Sequence, residues 1–403
     1  MARISMIVWN DFRNDARVLK EAQTLQAAGH EVTVFALHTP GVTKASETLA
    51  SGIKVTRVLR SPLWLFRSPA NPQKQTGFVS PKQANKGPVG QALRIVTRSL
   101  THCVLLFRMI ASRPGAIHSH DVNTLPTAWL ASVFTRTPLV YDAHEISTDR
   151  EGYARLRSLV GWVEKKLMPR AAATITTTDA RAKFFARAYR IPRPVVLQNR
   201  PRLLIEKRGD RLRRELELQM PWPIVLYQGG LQQGRGLARL VDVAGMIEQA
   251  YFVFIGGGRL AQSLEQKAID AGLSDRVRFI QTVSLDDLPS YTASADIGVQ
   301  PIENTCLNHL TTDSNKLFEY MMAGLAVVAS GMPEIRAIVN RYEFGITVAP
   351  GDTEALVQAI RTLVDNPDLR ASCAANAVQA AKTVNWEEQE SKLISLYEGV
   401  FRT

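Results

Sequence analysis

Short apolar runs alternate with segments of helical period through this chain. Residues 4–9 form an apolar run that fits a buried strand, and residues 10–15 form a polar loop. Val18, Ala22 and Leu25 then recur at helical spacing over residues 17–28, and Gly29 stops that helix before a second strand at 31–36. The scheme continues with a strand at 53–58, a helix at 91–110, a strand at 116–118 and a helix at 125–134. Further strands are expected at 138–141, 172–176 and 195–197. Strands alternating with helices predict a doubly wound parallel sheet, in which ligands sit at the carboxyl ends of strands. The 10–15 loop, His118–Asp121 and Asp142–Glu145 all fall at such ends.

The second half repeats the scheme. Strands are expected at 224–228, 251–255, 276–280, 297–300 and 325–329, with helices at 237–247, 260–271, 354–365, 372–384 and 386–401. In residues 315–324 Leu317, Tyr320 and Met321 recur at helical spacing and Gly324 closes the helix. Lys316 and Glu319, three apart, share a face near that helix's start, where free N–H groups favour a phosphate. An ordinary ion pair between the two is the competing reading.

At 403 residues the chain is too long for one ordinary core, which predicts two domains. We place an N-terminal Rossmann-like domain at 1–205, a second at 206–383, and a closing helix at 384–403. An insert at about residues 62–90, rich in Pro, Gln, Asn, Lys and Gly, reads as a mobile surface loop headed by Leu63, Trp64, Leu65 and Phe66. Residues 200–223 read as the linker.

A hydrophobic content of 45% with 21% charged residues excludes a disordered chain, and no apolar run approaches the ~20 residues of a membrane span. The first residues enter a strand without the apolar region of a signal peptide, which points to the cytoplasm. Cys103, Cys306 and Cys373 lack paired spacing, which predicts reduced thiols and no disulfide frame. Net charge is +12, unevenly shared: residues 1–200 hold 29 Lys and Arg against 12 Asp and Glu, and the remainder holds 20 against 25. Between Glu47 and Asp121 there is no carboxylate but 11 basic residues. The first domain is therefore expected to face something anionic. Few aromatics are interleaved and no nucleic-acid module is recognised, so an anionic membrane leaflet is the expected partner and nucleic acid is not. The protein is expected on the inner face of the cytoplasmic membrane.

The loop at 229–236, Gly-Gly-Leu-Gln-Gln-Gly-Arg-Gly, sits between a strand and a helix, where glycines let the backbone approach an anion and Arg235 adds a fixed charge. No Gly-Lys-[Ser/Thr] follows, so it is not a Walker A loop, and Gly256–Gly258 lacks dinucleotide-binding spacing and fits a tight turn. His118, His120 and His144 could be joined as metal ligands. The favoured reading gives them no metal, with His144 either a packed histidine or a hydrogen-bonding or basic group.

Together these segments resemble the retaining glycosyltransferases of the GT-B fold, in particular glycosyltransferase family 4. The resemblance rests on Asn14-Asp-Ala-Arg-Val18, residues 25–34, His118-Ser-His-Asp121, Tyr141-Asp-Ala-His-Glu145, and the segments 227–236, 255–258 and 315–324. It implies an α/β fold of two Rossmann-like domains facing a central cleft, with the closing helix crossing back to the first. It implies a nucleotide-sugar donor, UDP- or GDP-linked, on the second domain and a saccharide or lipid-linked saccharide acceptor on the first. Arg235 and Lys316 match residues on the diphosphate, helped by Gly229, Gly230 and the backbone at Asn315. Glu319 matches the carboxylate on the ribose, and Gln281 and Val283 flank the base. His144 matches the histidine beside the transferred sugar and is implied, with Arg235 and Lys316, to be catalytic. Asn14, Asp15, His120, Asp121 and Glu145 fall on the acceptor side. No metal or other cofactor is implied. Two positions depart from the family: Thr311 stands where a glutamate is usual, and Gly230 where an arginine is. A non-catalytic nucleotide-sugar-binding protein, or a nucleotide-sugar 2-epimerase, are the alternative readings.

Overall fold

The computed structural model describes residues 1–61, 88–204 and 207–402, without the side chains of 88, 89, 91, 92, 151, 154 and 155. The insert expected at 62–90 lies, as far as residue 87, outside the described residues. The chain divides into two compact units, Met1–Gln198 with Gln389–Thr403, and Asn199–Glu388.

The first unit is built on an eight-stranded sheet. Its strands are β1 (Arg3–Ile7), β2 (Glu31–His38), β3 (Ser46–Thr48), β4 (Lys54–Leu59), β5 (Ala116–His120), β6 (Leu139–Ala143), β7 (Ala173–Thr176) and β8 (Val195–Val196), in the order β3-β4-β2-β1-β5-β6-β7-β8. All pairs are parallel except β3 on β4. Strand order reverses direction between β1 and β5. Helix α1 (Ala16–Ala27) follows β1 and leads outward to β2, whereas α2 (Pro88–Ala111), α3 (Leu125–Thr135), α4 (Arg157–Leu167) and α5 (Asp179–Tyr189) lead the other way. Right-handed crossovers therefore put α2 to α5 on one face and α1 on the other. Leu105, Met109, Leu125, Ala128 and Phe185 bury that shared face against Ile7, Ile117, Leu139 and Tyr141.

The second unit has six parallel strands: β9 (Ile224–Gln228), β10 (Tyr251–Ile255), β11 (Val277–Ile280), β12 (Ile297–Gln300), β13 (Ala326–Ser330) and β14 (Gly345–Val348). Their order is β11-β10-β9-β12-β13-β14, so direction reverses between β9 and β12. Strands β9, β10 and β13 are buried at every position, as a parallel sheet covered on both faces requires. The expected linker contributes α6 (Arg211–Glu215), whose Leu212 is fully buried. Helices α7 (Leu237–Gly245), α8 (Ala261–Asp270), α9 (Leu288–Thr292), α10 (Leu307–Leu310), α11 (Asn315–Met322), α12 (Pro333–Tyr342), α13 (Thr353–Asp365) and α14 (Pro367–Ala381) complete it.

The last helix, α15 (Glu387–Arg402), returns to the first unit. Tyr397 on it is buried, with its hydroxyl 2.9 Å from His118 Nδ1 on β5, and Phe401 stacks on His30. Among the described residues no helix is long and apolar enough to cross a membrane.

Candidate active site

Each unit gathers polar side chains at its switch point, beyond the carboxyl ends of the central strands. In the second unit β9 delivers Gln228 and the glycine loop, β10 delivers Gly256–Gly258, and the chain after β12 leads to the start of α11. Gly229 has φ +115, and a Cβ on it would stand 2.6 Å from Lys316 Cε and 2.9 Å from Nζ. The missing side chain is the space that the lysine occupies. A Cβ on Gly256 would meet the Gly229 carbonyl oxygen at 2.1 Å, so the triple glycine is a close backbone approach that seats this loop. The loop is pinned further by Gly229 N–H to Ile255 O and by Leu231 N–H to Gly257 O.

Lys316 Nζ stands 5.5 Å from the centre of the Tyr227 ring. Burial, then the nearby charge of Arg235, push its amine down to about 8, with Glu319 pulling the other way. The expected alternative, an ion pair between Lys316 and Glu319, does not form: the Glu319 carboxylate instead accepts a 2.6 Å hydrogen bond from Gln228 Nε2. The carboxylate, which only accepts, fixes the amide end of Gln228 that faces it, and the other end, Oε1, lies 2.8 Å from the Thr292 hydroxyl. Among the described residues neither Lys316 nor Arg235 makes an ion pair with a carboxylate, and the two lie close enough to repel. Lys316 is the second residue of α11, whose N-terminus has no side-chain cap and follows Ser314 at φ +50, and Arg235, on the glycine loop, is near enough to depress its amine. Two cations and an uncapped helix start are suited to an anion.

The remaining expected residues of this unit fall around that edge. Gly230 accepts at its carbonyl from the Tyr227 hydroxyl, 3.1 Å. Asn315 is exposed at the helix start, and Gln281, exposed, and Val283, half-buried, follow the end of β11. Thr311 is buried and turns its hydroxyl to Leu307 O, 2.7 Å. Tyr227 and Gln228, the two β9 residues beside the lysine and the glutamate, open the expected 227–236 segment but were not singled out as site residues. Their position at the end of a central strand is the signal that could have found them.

In the first unit the organising group is Arg17 on α1. It donates to both Asp142 carboxylate oxygens, Nε to Oδ2 at 2.8 Å and Nη2 to Oδ1 at 3.0 Å, and to Leu197 O at 2.7 Å. Glu21, one turn on, lies 3.0 Å from Arg17 Nε and 3.6 Å from His118 Nε2. His118 and His120 alternate on β5, project to the same side and stack at 4.3 Å. His144 Nε2 is 2.9 Å from Asp142 Oδ2 and 3.3 Å from His120 Nδ1, and its Nδ1 is 3.8 Å from Asp121. Neither Arg17 nor Glu21 was among the expected site residues, although Glu21 falls between Val18 and Leu25 on the apolar face of its helix. A carboxylate there was the available signal.

Burial sets the charges in this cluster. It pushes His118 well down and His120 down, and pushes the Glu21 carboxyl well up, helped by Asp142. It also acts to raise Asp142, but Arg17, His144 and two imidazole hydrogen bonds outweigh it and hold that carboxyl well below its usual range. For His144 burial acts downward, and Asp121 and Asp142 overcome it, lifting the imidazolium to about 9. Glu21, His118, His120 and Asp142 bring one ligand atom each within 4.8 Å. Arg17 already spans Asp142 and Glu21, so a cation stands where a metal would need those carboxylates.

Of the other expected residues, Asp15 caps α1 through Val18 N–H, 3.2 Å, and accepts from Asn10 Nδ2, 2.7 Å. Both its oxygens serve the local turn. Asn14 is exposed, and His120 is buried beneath His144. Asp121, at φ +63, and Glu145 each lie 3.6 Å from Arg150.

Compared with known protein families, residues 15–200 match the glycosyl transferase 4-like domain and residues 222–366 match the glycosyl transferases group 1. A D-inositol 3-phosphate glycosyltransferase of Corynebacterium urealyticum is 24% identical over 304 residues, 70% of each chain. Among solved structures, the sucrose-phosphate synthase of Thermosynechococcus elongatus superposes with a TM-score of 0.78 at 19% identity, covering 100% of both chains. Anabaena HepE in complex with UDP-glucose gives 0.73 at 17% identity, covering 99% of this chain and 100% of that one.

Two predictions follow from the geometry. Gly229→Ala should cost about 1–2 kcal/mol through its left-handed backbone and displace the Lys316 amine. Pyrophosphate affinity, measured by calorimetry, should then fall about tenfold. For His144 the folded value near 9 exceeds the free value of 6.5, so its stabilisation is complete below pH 6.5 and is lost as pH rises through 9. Urea unfolding from pH 6 to 10 should show wild type losing about 3 kcal/mol more than His144→Gln over that window.

Proposed function

We propose that this chain, which belongs to the glycosyl transferases of group 1 and is a glycosyltransferase of the GT-B type, transfers a sugar from a nucleoside diphosphate to a saccharide hydroxyl with retention at the anomeric carbon. The observation that carries the reading is a pair of neighbouring cations, Arg235 and Lys316, without carboxylate partners among the described residues, Lys316 standing at an uncapped helix start. Such a site is suited to a group that gains negative charge as its bond breaks. A nucleoside diphosphate leaving an anomeric carbon is that group.

In this reading the bond from the anomeric carbon to the diphosphate oxygen breaks while the acceptor oxygen bonds to the same face of that carbon. The acceptor proton passes to an oxygen of the leaving diphosphate. Lys316 and Arg235 carry the charge that a divalent cation would otherwise carry, so we expect no metal or other cofactor. Glu319, held by Gln228, takes the ribose hydroxyls, and residues 281–283 border the base. His144 acts as a cation: with its value near 9 it donates a hydrogen bond to a sugar hydroxyl and is a poor proton acceptor at neutral pH. Asp121, Glu145 and the exposed Asn14 belong to the acceptor side. Retention is supported by the resemblance of the motif segments, and a UDP-linked donor by the UDP-glucose complex of Anabaena HepE. We take the acceptor to be a lipid-linked saccharide, or the precursor of a cell-surface one, met at the inner face of the cytoplasmic membrane, as the basic first unit supports.

A thermal-shift screen against UDP, GDP, ADP and their sugars tests this. One nucleotide at a hundredfold its dissociation constant should raise the melting temperature by about 5 °C. Arg235→Ala and Lys316→Ala should each remove most of that shift and most of the turnover. Full turnover in both variants would refute the donor-site assignment.

A further inference from the structure

The outer surface of α2, α3 and α4 has a composition unlike the rest of the chain. On α2, Leu93, Ile95, Val96, Leu100 and Phe107 are exposed, Ile95 to 66% and Phe107 to 70%. Val133 and Phe134 continue this on α3, and Leu159 and Trp162 on α4, with Phe134 at 66% and Trp162 at 60%. Single exposed apolar residues need no explanation, but a contiguous set across three helices does. The topology sets these residues side by side, because α2, α3 and α4 lie in one layer on the same face of the sheet, with α3 packed against both of the others.

Apart from the buried Glu164, the charged residues on these helices are of one sign. Arg94, Arg98 and Arg108 lie on α2, Arg136 ends α3, and Arg157, Lys165 and Lys166 lie on α4. The one carboxylate on the three helices is Glu164. It is fully buried, where it accepts from the hydroxyls of Tyr141, Tyr189 and Ser147. Helix α2 also joins the core only in its second half, from Thr101, Leu105 and Met109; residues 93–100 are exposed except for the half-buried Thr97.

We propose that the α2–α3–α4 face is a membrane-docking surface that inserts its apolar side chains into an anionic bilayer while its arginines and lysines meet the lipid phosphates. Resting on the membrane-side acceptor read above, it names the surface and the mode of contact. Charge and exposed apolar surface together decide the occupant: a second copy of this chain would set like charges against one another, only Arg157 being paired among the described residues, to Asp149, whereas an anionic leaflet neutralises the cations and also takes up the apolar side chains. Insertion, and not charge alone, is the consequence of apolar residues so far exposed.

The full chain is mixed with vesicles of phosphatidylcholine and with vesicles carrying a one-third share of phosphatidylglycerol. It should sediment with the second and not the first, and Trp162 fluorescence should shift to the blue, a shift that Trp162→Phe removes. Phe107→Ser with Trp162→Ser should weaken binding about tenfold at unchanged melting temperature. Arg94→Gln and Arg98→Gln should each weaken it about fivefold and flatten its salt dependence. Anionic-vesicle binding unaltered in the serine variant, equal binding to neutral vesicles, or no binding to either would overturn the proposal. So would Trp162 shielded from acrylamide without vesicles, or a dimer in solution that the serine variant dissociates. The UDP and GDP thermal shifts of these variants are read separately. Loss of vesicle binding with an intact nucleotide shift counts for the docking face, and a missing nucleotide shift in wild type counts against the transfer reading alone.

Discussion

A parallel sheet delivers the carboxyl end of every strand to one edge, and both candidate sites follow from that constraint. In each unit the strand order reverses once, between β1 and β5 and between β9 and β12. At the reversal the flanking helices diverge to opposite faces and leave room for loops. The Asp142–Glu145 and His118–Asp121 segments collect at one such place, and the glycine loop with the start of α11 at the other. Everything chemical in the chain depends on backbone that cannot be placed elsewhere.

The two places are electrostatically opposite. In the first unit the charges are consumed internally: Arg17 grips Asp142 in a two-point contact, and the histidines below it are neutral. Removing one partner of such a buried pair costs about 3–5 kcal/mol, so this cluster sets the position of His144 firmly. In the second unit Lys316 and Arg235 have no carboxylate partner among the described residues. Lys316 is held by shape, in the space that Gly229 leaves, and its amine is depressed by burial and by Arg235. That is an arrangement waiting for an anion, and the structure stores the cost of it in a lowered lysine.

Much of this could be read from the sequence because apolar runs define parallel strands so well. The strands read at 224–228, 251–255 and 297–300 have those bounds in the structure. The edges were less readable. β3 is three residues with one half-buried side chain, and β14 carries Gly345 and Thr347 at a sheet edge with little apolar content. Helices α4 and α5 were not recognised, since charged residues interrupt their apolar faces. Among site residues, position was readable and partnership was not. Lys316 and Glu319 share a helix face, yet Gln228, on a strand 91 residues earlier, captures the glutamate. Asp15 sits in the expected loop, yet its carboxylate is engaged as the cap of α1. Glu21 carried a signal, a carboxylate inside an apolar stripe four residues from Arg17, but its other neighbours, Asp142 and His118, are distant in sequence.

The central claim is that Lys316 is the cation for the leaving diphosphate, and protons taken up on binding report it directly. The free amine near 8 must rise when a diphosphate arrives, so at pH 8 the complex gains protons. Calorimetry of UDP or GDP binding, whichever binds, in two buffers of different ionisation enthalpy should give an uptake of roughly half a proton. Lys316→Met should abolish it. Uptake unchanged in that variant, or no uptake by wild type when the nucleotide binds, would contradict the account.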